Sequence, residues 1–427
     1  MTSAATRPVS AAGGAARPAS GLPRLLPPGP QAPNLNAHLA RHGRAPHVTS
    51  EFIAAVEAAG LTGRGGAAFP THRKLAVVAA QRGASKLVVA NAAESEPASH
   101  KDKTLLQQAP HLVLDGLQLA AEAVGASQVR LYLHHTSAAI GTAIAERKAA
   151  GIDQHEILVS MAPPRFLAGQ ETALVNRIQG GPALPTYGFP RVAENGILVQ
   201  NAETLAHLAL IARYGPGWFR AVGTENEPGT MLATILSPGG RPLVTELPIG
   251  VPLRAIVDAA STSAVLVGGY HGTWLPVTKL GSLTLDNTTL NRHGAALGAG
   301  VIAALPHGSC GLKEAARVVR YLAAESAGQC GPCLNGLPRI ATAMAEAAGA
   351  RPRQQTIDSI TRWATAVSGR GACHHPDGTV RFVRSALTTF AAELRSHRNN
   401  QCTATTSQPF LPVPDVWTMP TTEEAWR

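Results

Sequence analysis

Three short apolar runs separated by two helical patterns constrain the fold of this chain more than any other sequence feature. The runs lie at residues 86–90, 129–133 and 156–160, and apolar residues recur at helical spacing over 112–124 and 137–149. This alternation predicts parallel strands, because a crossover helix must carry the chain back to the start of the next strand. The sequence therefore predicts an α/β domain whose parallel sheet is flanked by helices.

Two further patterns follow the α/β domain. A chain of 427 residues exceeds the size at which a single core keeps growing, so several domains are expected. After Trp218 the sequence changes to short strands, Pro-Gly turns and one brief helix, which predicts a small β-rich module. From about Leu312 onward, apolar residues recur at helical spacing, which predicts a helical third domain.

Both ends of the sequence are poor in core-forming residues. The N-terminal segment is rich in Ala, Pro and Gly, and the C-terminal segment is rich in Asn, Gln, Thr and Pro. Such segments bury too little apolar surface to offset the entropy of ordering, so a mobile arm and a disordered tail are expected. The predicted divisions are 1–44 for the arm, 45–225 for the α/β domain, 226–290 for the β-rich module, 291–396 for the helical domain and 397–427 for the tail.

Composition excludes several classes of protein. The net charge is +10, but basic residues are scattered and aromatics are only 4%, so no nucleic-acid partner is expected. No apolar run approaches the ~20 residues that cross a bilayer, and no signal peptide is evident. We therefore expect a cytoplasmic chain, at most peripheral to a membrane complex, whose five cysteines are metal ligands or free thiols rather than disulfides.

A glycine-rich segment precedes the first clear strand. Residues 63–71 read Gly-Arg-Gly-Gly-Ala-Ala-Phe-Pro-Thr, with three glycines within four residues. Glycines let backbone N–H groups approach an anion closely, and a following helix would direct its positive end to the same place. The segment is neither a Walker loop nor a G-x-G-x-x-G fingerprint, so an ordinary turn is the alternative to a phosphate-binding loop.

Polar residues follow the strand at 86–90. Residues 91–97 include Glu94 and Glu96 and lie where ligands bind an open α/β sheet, at the carboxyl ends of its strands. The alternative is that both carboxylates are solvated loop charges. Two helix starts, at 169–174 and 200–204, carry polar groups that either reach the same cleft or cap their helices.

Cys330, Cys333 and Cys373 supply three thiolates where an iron–sulfur cluster takes four. Ala327 occupies the first position of a C-x2-C-x2-C pattern, and an alanine methyl cannot ligate iron. A three-cysteine cluster, a [3Fe-4S] form, a Cys3His zinc site and no metal all remain open. Solvent or one of three side chains would complete a three-cysteine cluster: Ser326, His374 or His375.

We expect no functional role for the two remaining cysteines. Cys310 precedes a helix and is expected to be a small buried apolar residue. Cys402 belongs to the predicted tail and is expected to ligate nothing.

The motifs taken together resemble a known family. The glycine loop, residues 91–97, 169–174 and 201–204, and Cys330-Gly-Pro-Cys333 occur in one order at suitable intervals. From about Gly60 to Leu394 the chain resembles the NADH-binding FMN flavoprotein subunit of respiratory complex I, the F type of NADH-quinone oxidoreductase, and related diaphorases. The resemblance implies a Rossmann-like FMN/NADH domain, a β-grasp domain and a C-terminal helical iron–sulfur-binding bundle.

The resemblance also implies roles for individual residues. The glycine loop, Lys74 and two asparagines would hold FMN, while Phe69 and the acidic residues would contact NADH or NADPH. The implied cofactor-binding residues are Gly63, Arg64, Gly65, Gly66, Phe69, Lys74, Asn91, Glu94, Glu96, Glu171, Asn201 and Thr204. The cysteines Cys330, Cys333 and Cys373 would hold an altered [4Fe-4S] cluster.

Two departures from the family pattern each remove a carboxylate: Ala93 removes one from the flavin pocket, and Gln170 removes one that bears on nucleotide choice. The family's N-A-D-E loop has Ala93 at its third position, and its G-E-E-T motif has Gln170 in place of the first glutamate. A carboxylate near the ribose excludes the 2′-phosphate of NADPH by repulsion, so its loss relaxes that discrimination. The sequence leaves the choice between NADH and NADPH open.

The function implied by the resemblance is an electron-input subunit. Hydride would pass from NAD(P)H to FMN, and single electrons would leave through the cluster to a partner redox protein. The cofactors carry this chemistry, so no side chain is expected to act as a catalytic acid or base. The alternative hypothesis is a non-catalytic scaffold subunit of a redox complex, either FMN-binding or zinc-stabilised.

Overall fold

The computed structural model describes residues 22–29, 31–83, 85–134, 137–187, 191–402, 404–415 and 423–427. Within these ranges the chain forms an α/β region, a mixed β-sheet and a C-terminal group of helices. The succession agrees with the predicted fold class. Half of the predicted N-terminal arm, residues 1–21 and residue 30, lies outside the described residues.

The first sheet is parallel throughout and has the strand order β3-β2-β1-β4. Its strands are β1 (Leu87–Asn91), β2 (Gln128–Leu133), β3 (Ile157–Met161) and β4 (Ile197–Asn201). The order changes direction between β1 and β4, where Asn91 and Asn201 are paired at the carboxyl ends. In open α/β sheets such a reversal opens a crevice in which ligands bind.

Helices cover both faces of this sheet, as the predicted crossovers require. They are α1 (Leu35–His42), α2 (Phe52–Ala59), α3 (Thr71–Ala79), α4 (Lys101–Gln108), α5 (Pro110–Val124), α6 (Ala138–Ala150), α7 (Glu171–Ile178) and α8 (Ala202–Arg220). Helices α5 and α8 lie so close that a Cβ on Gly116 would stand 1.9 Å from the Leu205 carbonyl oxygen. Glycine at 116 thus permits the contact that buries both helices against the sheet.

The second sheet has the order β6-β5-β9-β7-β8, and only the β5–β9 pair is parallel. Its elements are β5 (Thr230–Leu236), β6 (Leu243–Pro248), β7 (Thr262–Val267), β8 (Thr273–Pro276), the short helix α9 (Asn287–Asn291) and β9 (Val301–Pro306). Strand β9 lies at the centre of this sheet although the sequence placed it in the helical domain. The run Val301–Leu305 is buried on both faces, and such a run does not reveal its secondary structure by periodicity.

The C-terminal helices pack against one another and against the second sheet. They are α10 (Gly311–Ala324), α11 (Leu337–Ala347), α12 (Gln354–Val367), α13 (His375–Thr389) and α14 (Ala391–Arg398). Trp274 of β8 packs against the rings of Phe382 and Phe390, which joins the sheet to the helices. Among the described residues, no helix combines the length and the apolar character needed to cross a membrane.

The described parts of both termini pack on the fold, which differs from the predicted arm and tail. Leu25 is buried because the Glu246 carboxylate accepts hydrogen bonds from the backbone N–H groups of Arg24 and Leu25. At the other end, Leu411 is buried and its backbone N–H donates to Glu314. Buried carboxylates on the folded domains thus supply the partners that the composition of these segments does not reveal.

Candidate active site

One cleft of about 640 Å³ opens where the three parts of the structure meet. Its volume lies within the range of about 300–1,000 Å³ that holds small molecules and cofactors. The cleft brings together all of the implied cofactor-binding residues: Gly63, Arg64, Gly65, Gly66, Phe69, Lys74, Asn91, Glu94, Glu96, Glu171, Asn201 and Thr204. Their assigned roles toward FMN and nucleotide stay predictions, but their convergence is a structural fact.

The glycine loop forms the wall of this cleft next to α8. The Arg64 backbone N–H donates to the fully buried Thr204 hydroxyl at 2.8 Å, which anchors the loop to the helix. The Gly63 N–H donates to the Phe69 carbonyl at 2.9 Å, and Gly66 adopts φ +105°, a conformation that favours glycine. The Phe69 ring stays 48% exposed at the cleft, where an apolar face is available for a planar ligand.

Asn91 and Asn201 lie side by side at the ends of β1 and β4. The Asn91 amide donates to the Gly169 carbonyl at 2.8 Å and so holds the loop before α7. Asn201 caps α8 by accepting from the Glu203 N–H at 3.0 Å, and its amide donates to Asp102 at 2.7 Å. Both side chains therefore organise the cleft before any ligand contact.

The carboxylates of Glu94 and Glu96, the two acidic-loop residues, differ in whether an oxygen atom lacks a hydrogen-bond partner. Glu94 accepts from Ser99, Asp102 and Lys103, so its carboxylate caps the start of α4. Glu96 accepts from the Tyr270 N–H through Oε2, but its Oε1 is buried without a hydrogen-bond partner. Of the pair, Glu96 keeps an acceptor available to a bound molecule.

A further wall of the cleft, at the start of α7, contains an ion pair between Lys74 and Glu171 and the helix-capping residue Gln170. Lys74 Nζ lies 2.7 Å from Glu171 and donates to the Val199 carbonyl at 3.1 Å. Gln170 accepts from the Thr172 hydroxyl and the Ala173 N–H, so its side chain caps α7. The capping alternative thus holds at Gln170, and no carboxylate stands at that position.

Several buried polar atoms around the cleft have no hydrogen-bond partner. They are Glu96 Oε1, Gln200 Nε2, Arg64 Nε and Thr71 Oγ1. Buried polar atoms are normally paired, so such a group of orphaned atoms indicates where a polar ligand binds. Donors and acceptors of both kinds, beside a glycine loop without side chains, fit a phosphate-bearing cofactor such as FMN.

The sequence interpretation missed a buried ion-pair network beneath the cleft. Lys101 Nζ lies 2.9 Å from both Asp102 and Glu203 and 3.4 Å from Asn201 Oδ1. Glu203 also accepts from the Leu232 N–H at 2.8 Å, which ties α8 to β5. Burial alone would raise the pKa of Glu203, but Lys101, His207 and Arg64 together outweigh burial and lower it to about 2. A lysine–aspartate pair beginning a helix gave no sequence signal of this contact.

The cleft wall opposite the α/β domain is aromatic and was also missed. Phe166 packs edge-on against His271, and His271 Nε2 lies 3.0 Å from His375 Nδ1. The other nitrogen of His375 contacts the Leu322 carbonyl at 2.8 Å. Both nitrogens of His375 are therefore occupied, which removes it from the candidates for a fourth iron ligand.

The three predicted cluster cysteines come together beside this wall. Cys333 lies in a π-helical turn, Pro332–Gly336, and Cys373 directly precedes His374, which lines the cleft. Burial, reinforced by the neighbouring Cys330, raises the pKa of Cys333 to about 11, whereas the Ser326 hydroxyl acts in the opposite direction. Cys373 likewise interacts with Cys330. The thiols thus form one group that also includes the buried Ser326 hydroxyl.

Replacing Glu96 by glutamine is expected to flatten the pH dependence of stability between pH 4.5 and 7. Burial raises the pKa of Glu96 from 4.5 to about 7, against the opposing hydrogen bonds from Tyr270 and Ala98. In this interval the folded chain retains a proton that the unfolded chain has released, so the free energy of unfolding falls as pH rises. Because the carboxyl faces an open cleft, about 3 kcal/mol is an upper limit for the effect.

Urea denaturation at pH 5, 6 and 7 measures this difference. The wild type should lose stability relative to Glu96→Gln as pH rises, while the exposed-site variant Glu225→Gln should follow the wild type. Parallel curves for Glu96→Gln and wild type would contradict the assignment.

Comparison with known proteins agrees with the site. The model described as the Nuo51 FMN-binding domain matches residues 56–210. The model described as the NADH-ubiquinone oxidoreductase-F iron-sulfur binding region matches residues 313–397. Together the two matches span more than half of the chain.

Curated relatives and solved structures extend the match. The F-2 subunit of the NADH-quinone oxidoreductase of Rhizobium meliloti is 27% identical over 380 residues, which cover 82% of this chain and 89% of the relative. The F-type subunit of the same enzyme in Escherichia coli K12 is 28% identical over 376 residues, with coverages of 81% and 84%. A chain of the NAD+-reducing [NiFe]-hydrogenase in the H2-reduced state superposes with a TM-score of 0.74 at 27% identity.

The hydrogenase match covers 84% of this chain but only 63% of the hydrogenase chain. The predicted resemblance and the predicted fold class are both confirmed by these matches. The chain therefore carries matches to an FMN-binding domain and to an iron–sulfur binding region, and it is similar over most of its length to the F-type subunits of NADH-quinone oxidoreductases.

Proposed function

We propose that the protein is an NAD(P)H dehydrogenase subunit that takes electrons from a nicotinamide nucleotide and delivers them singly to a partner redox protein. The observation that carries the proposal is the convergence of the glycine loop, the acidic loop and the wall preceding α13 on one cleft. Bound FMN supplies the conversion of a two-electron donor to one-electron transfer, and an iron–sulfur cluster supplies the exit.

The glycine loop and its neighbours would hold the FMN phosphate and ring. Gly63 to Gly66 expose backbone N–H groups, Lys74 offers a cation at the edge of the loop, and Asn91 and Asn201 frame the crevice between β1 and β4. The orphaned Arg64 Nε and Gln200 Nε2 are donors ready for a polar ligand. These groups position the cofactor and take no proton in the reaction.

The remaining residues would orient the nucleotide. Phe69 presents an exposed ring, Glu96 presents an unpaired carboxylate oxygen, and Glu171 stands beside Lys74. Gln170, unlike a glutamate, places no negative charge against a 2′-phosphate. We propose that the site accepts both NADH and NADPH, with a smaller preference for NADH than a site with a glutamate at this position would have.

Cys330, Cys333 and Cys373 would hold the cluster through three irons. His375 is engaged on both nitrogens, so the Ser326 hydroxyl beside Cys333 is the side chain best placed near the fourth position. His374 lines the cleft directly after Cys373, which supports a position of the cluster ligands next to the proposed flavin site. Short separation between redox centres is what electron transfer to a cluster requires.

Replacing Ala327 by cysteine is expected to stabilise the cluster. A fourth thiolate replaces a ligand position that alanine leaves open, so we expect loss of iron to a chelator to slow by at least about tenfold. Iron and acid-labile sulfide per chain, followed during chelation under anaerobic conditions, measure the effect. The control is Gln329→Cys, which adds a thiol at an exposed neighbouring position. If both variants slow the loss of iron equally, a cysteine at position 327 is not a specific ligand of the cluster.

The function is tested by an anaerobic absorption titration of the FMN-reconstituted protein with NADH and then NADPH. We expect bleaching of the flavin bands together with reduction of an iron–sulfur feature, with both nucleotides active. A flavin spectrum that neither nucleotide changes, in protein shown to hold stoichiometric FMN, would overturn the proposal. Flavin reduction without a reducible iron feature would contradict electron transfer through a cluster, but it would support the oxidation of the nucleotide by FMN.

The relatives are named as subunits of NADH-quinone oxidoreductases, which suggests an assembly context for this chain. We propose a cytoplasmic subunit that docks on an iron–sulfur or flavin protein, peripheral to any membrane part of the complex. Co-purification of a tagged chain from its native cells would identify that docking partner.

A further inference from the structure

A second set of metal-ligating side chains lies outside the cleft, where α10 begins and α14 ends. The ligand atoms of Cys310, His397 and Cys402 all lie within 4.8 Å of one another. Cys310 Sγ is 3.5 Å from His397 Nε2 and 3.5 Å from Glu393 Oε2. The sequence interpretation treated Cys310 as an apolar residue and Cys402 as part of a disordered tail, so neither was expected here.

The two measured separations match those around a zinc ion. Tetrahedral bonds of about 2.0–2.3 Å place neighbouring ligand atoms about 3.3–3.8 Å apart. Thiolates and imidazoles are the ligands that zinc takes most often in structural sites, and this group supplies two of the first and one of the second. Glu393 and His397 stand four residues apart on α14, so both side chains leave the same face of the helix.

The surroundings already orient these ligands. His397 Nδ1 lies 3.0 Å from the Gly349 carbonyl, which assigns the proton to Nδ1 and leaves Nε2 free for a cation. The Glu393 carboxylate accepts from the backbone N–H groups of Gly311 and Leu312 at 3.2 and 3.0 Å. Metal-binding histidines and carboxylates characteristically have such outer partners, because these fix the ligand orientation.

The position of Cys402 is fixed from both sides. The Gln401 N–H donates to the Ser396 carbonyl at 2.9 Å, before the cysteine. After it, the N–H groups of Thr405 and Thr406 donate to the Gly308 carbonyl at 3.0 and 3.1 Å. These bonds return the chain to the residues just before Cys310, so the exposed cysteine faces the buried one rather than solvent alone.

We propose that Cys310, His397 and Cys402 hold a structural Zn²⁺ ion that fastens the segment after α14 to the start of α10, with Glu393 beside Cys310 and water completing the four ligands. The plain alternative is a hydrogen-bonded cluster in which the Cys310 thiol donates to Glu393. Zinc binds thiolates, so the thiols of the bound cysteines release their protons to solvent when the ion binds.

A zinc ion here would stabilise a longer stretch of chain than the three ligand residues. The chain that follows Cys402 reaches Leu411, whose backbone bonds Glu314 and Arg317 on α10. Farther on, the Pro412 carbonyl accepts from the Tyr270 hydroxyl at 2.7 Å. The proposed site thus fixes one end of the segment that runs from Cys402 over the helical domain to the second sheet.

The test counts zinc in the full-length protein purified under reducing conditions. Native mass spectrometry, followed by competition with a chromophoric zinc chelator, compares wild type with Cys402→Ser and His397→Gln. We expect each variant to hold one zinc fewer than wild type and to bind added zinc at this site at least about 100-fold more weakly. Cys373→Ser serves as the matched control, since it removes a cysteine from the other cluster and should keep this zinc.

Each remaining outcome decides against the proposal. Equal zinc content and affinity in wild type, Cys402→Ser and His397→Gln would leave only the hydrogen-bonded cluster. A Cys310–Cys402 disulfide, found by alkylation and peptide mapping of anaerobically purified protein, would assign the pair to redox chemistry instead. Because Cys402 is exposed, its serine variant should fold normally, and circular dichroism verifies this independently of metal.

Discussion

Replacing Gly65 by valine is expected to weaken FMN binding by about 100-fold while the chain stays folded. A Cβ at position 65 would stand 3.3 Å from Asn201 Cβ, the only heavy atom of the described residues within 4 Å apart from its chain neighbours. The added methyls must therefore project toward the cleft, where the backbone of the glycine loop is proposed to approach the cofactor. Overpacking of 1–3 kcal/mol, together with lost backbone contacts, corresponds to roughly this change in Kd.

Fluorescence quenching of FMN by the deflavinated protein measures the affinity directly, without a catalytic readout. Gly141→Val is the matched control, because Gly141 lies in α6 with open space around its Cβ position. That variant should bind FMN as the wild type does. Stoichiometric FMN in Gly65→Val, at wild-type affinity, would remove the glycine loop from the binding site.

The architecture was predictable because its signals are local. The parallel strands β1, β2 and β3 are predicted by short apolar runs that alternate with helical patterns in the sequence. Strand β9 was misplaced because its hydrogen-bond partners, β5 and β7, lie more than thirty residues away in sequence. A buried run carries no periodicity, so only the sheet itself identifies it as a central strand.

The cleft was predictable because its residues belong to motifs that stand in order along the chain. Resemblance brought Gly65, Asn91 and Glu96 together correctly, although it gave no account of what each side chain contacts. The structure shows that Glu94 caps α4, whereas Glu96 keeps an unpaired oxygen. Such a distinction depends on distances between segments, which a motif does not contain.

Features without motifs were missed entirely. No sequence pattern marks Lys101 or Glu203 as buried, yet each is almost fully buried and they are partners. Cys310 and Cys402 are separated by 92 positions of sequence, so no ligand spacing suggested a shared site. Long-range pairing of single residues is information that appears only when the chain is folded.

Replacing Lys101 by methionine is expected to lower the free energy of unfolding by about 3–5 kcal/mol. The ammonium is 4% exposed and lies 2.9 Å from both Asp102 and Glu203. Removing one partner of a buried ion pair leaves an uncompensated charge in a medium of low dielectric constant, which costs far more than an exposed pair contributes. The methionine side chain fills similar volume, so the lost charge and not a cavity dominates the effect.

Because the ion-pair network contacts residues of the cleft, the Lys101 substitution should also weaken FMN binding. Lys101 contacts Asn201, which caps α8 beside the crevice, and Asp102 donates its N–H to Glu94 of the acidic loop. Urea denaturation at pH 7 measures the loss, and FMN affinity of the folded variant measures its spread to the cleft. Lys103→Met is the matched control, since Lys103 is exposed and its loss should change stability by no more than ~0.5 kcal/mol.

A second substitution separates charge from packing. In Lys101→Met/Glu203→Gln the buried carboxylate that Lys101 neutralised becomes an uncharged amide, so part of the lost stability should return. If stability falls by less than about 1 kcal/mol in Lys101→Met, Glu203 has taken up a proton at little cost, and its low pKa would be wrong. If the single variant is strongly destabilised and the double variant recovers nothing, the side chain of Lys101 stabilises the fold by packing, and the ion pair between α4 and α8 contributes little.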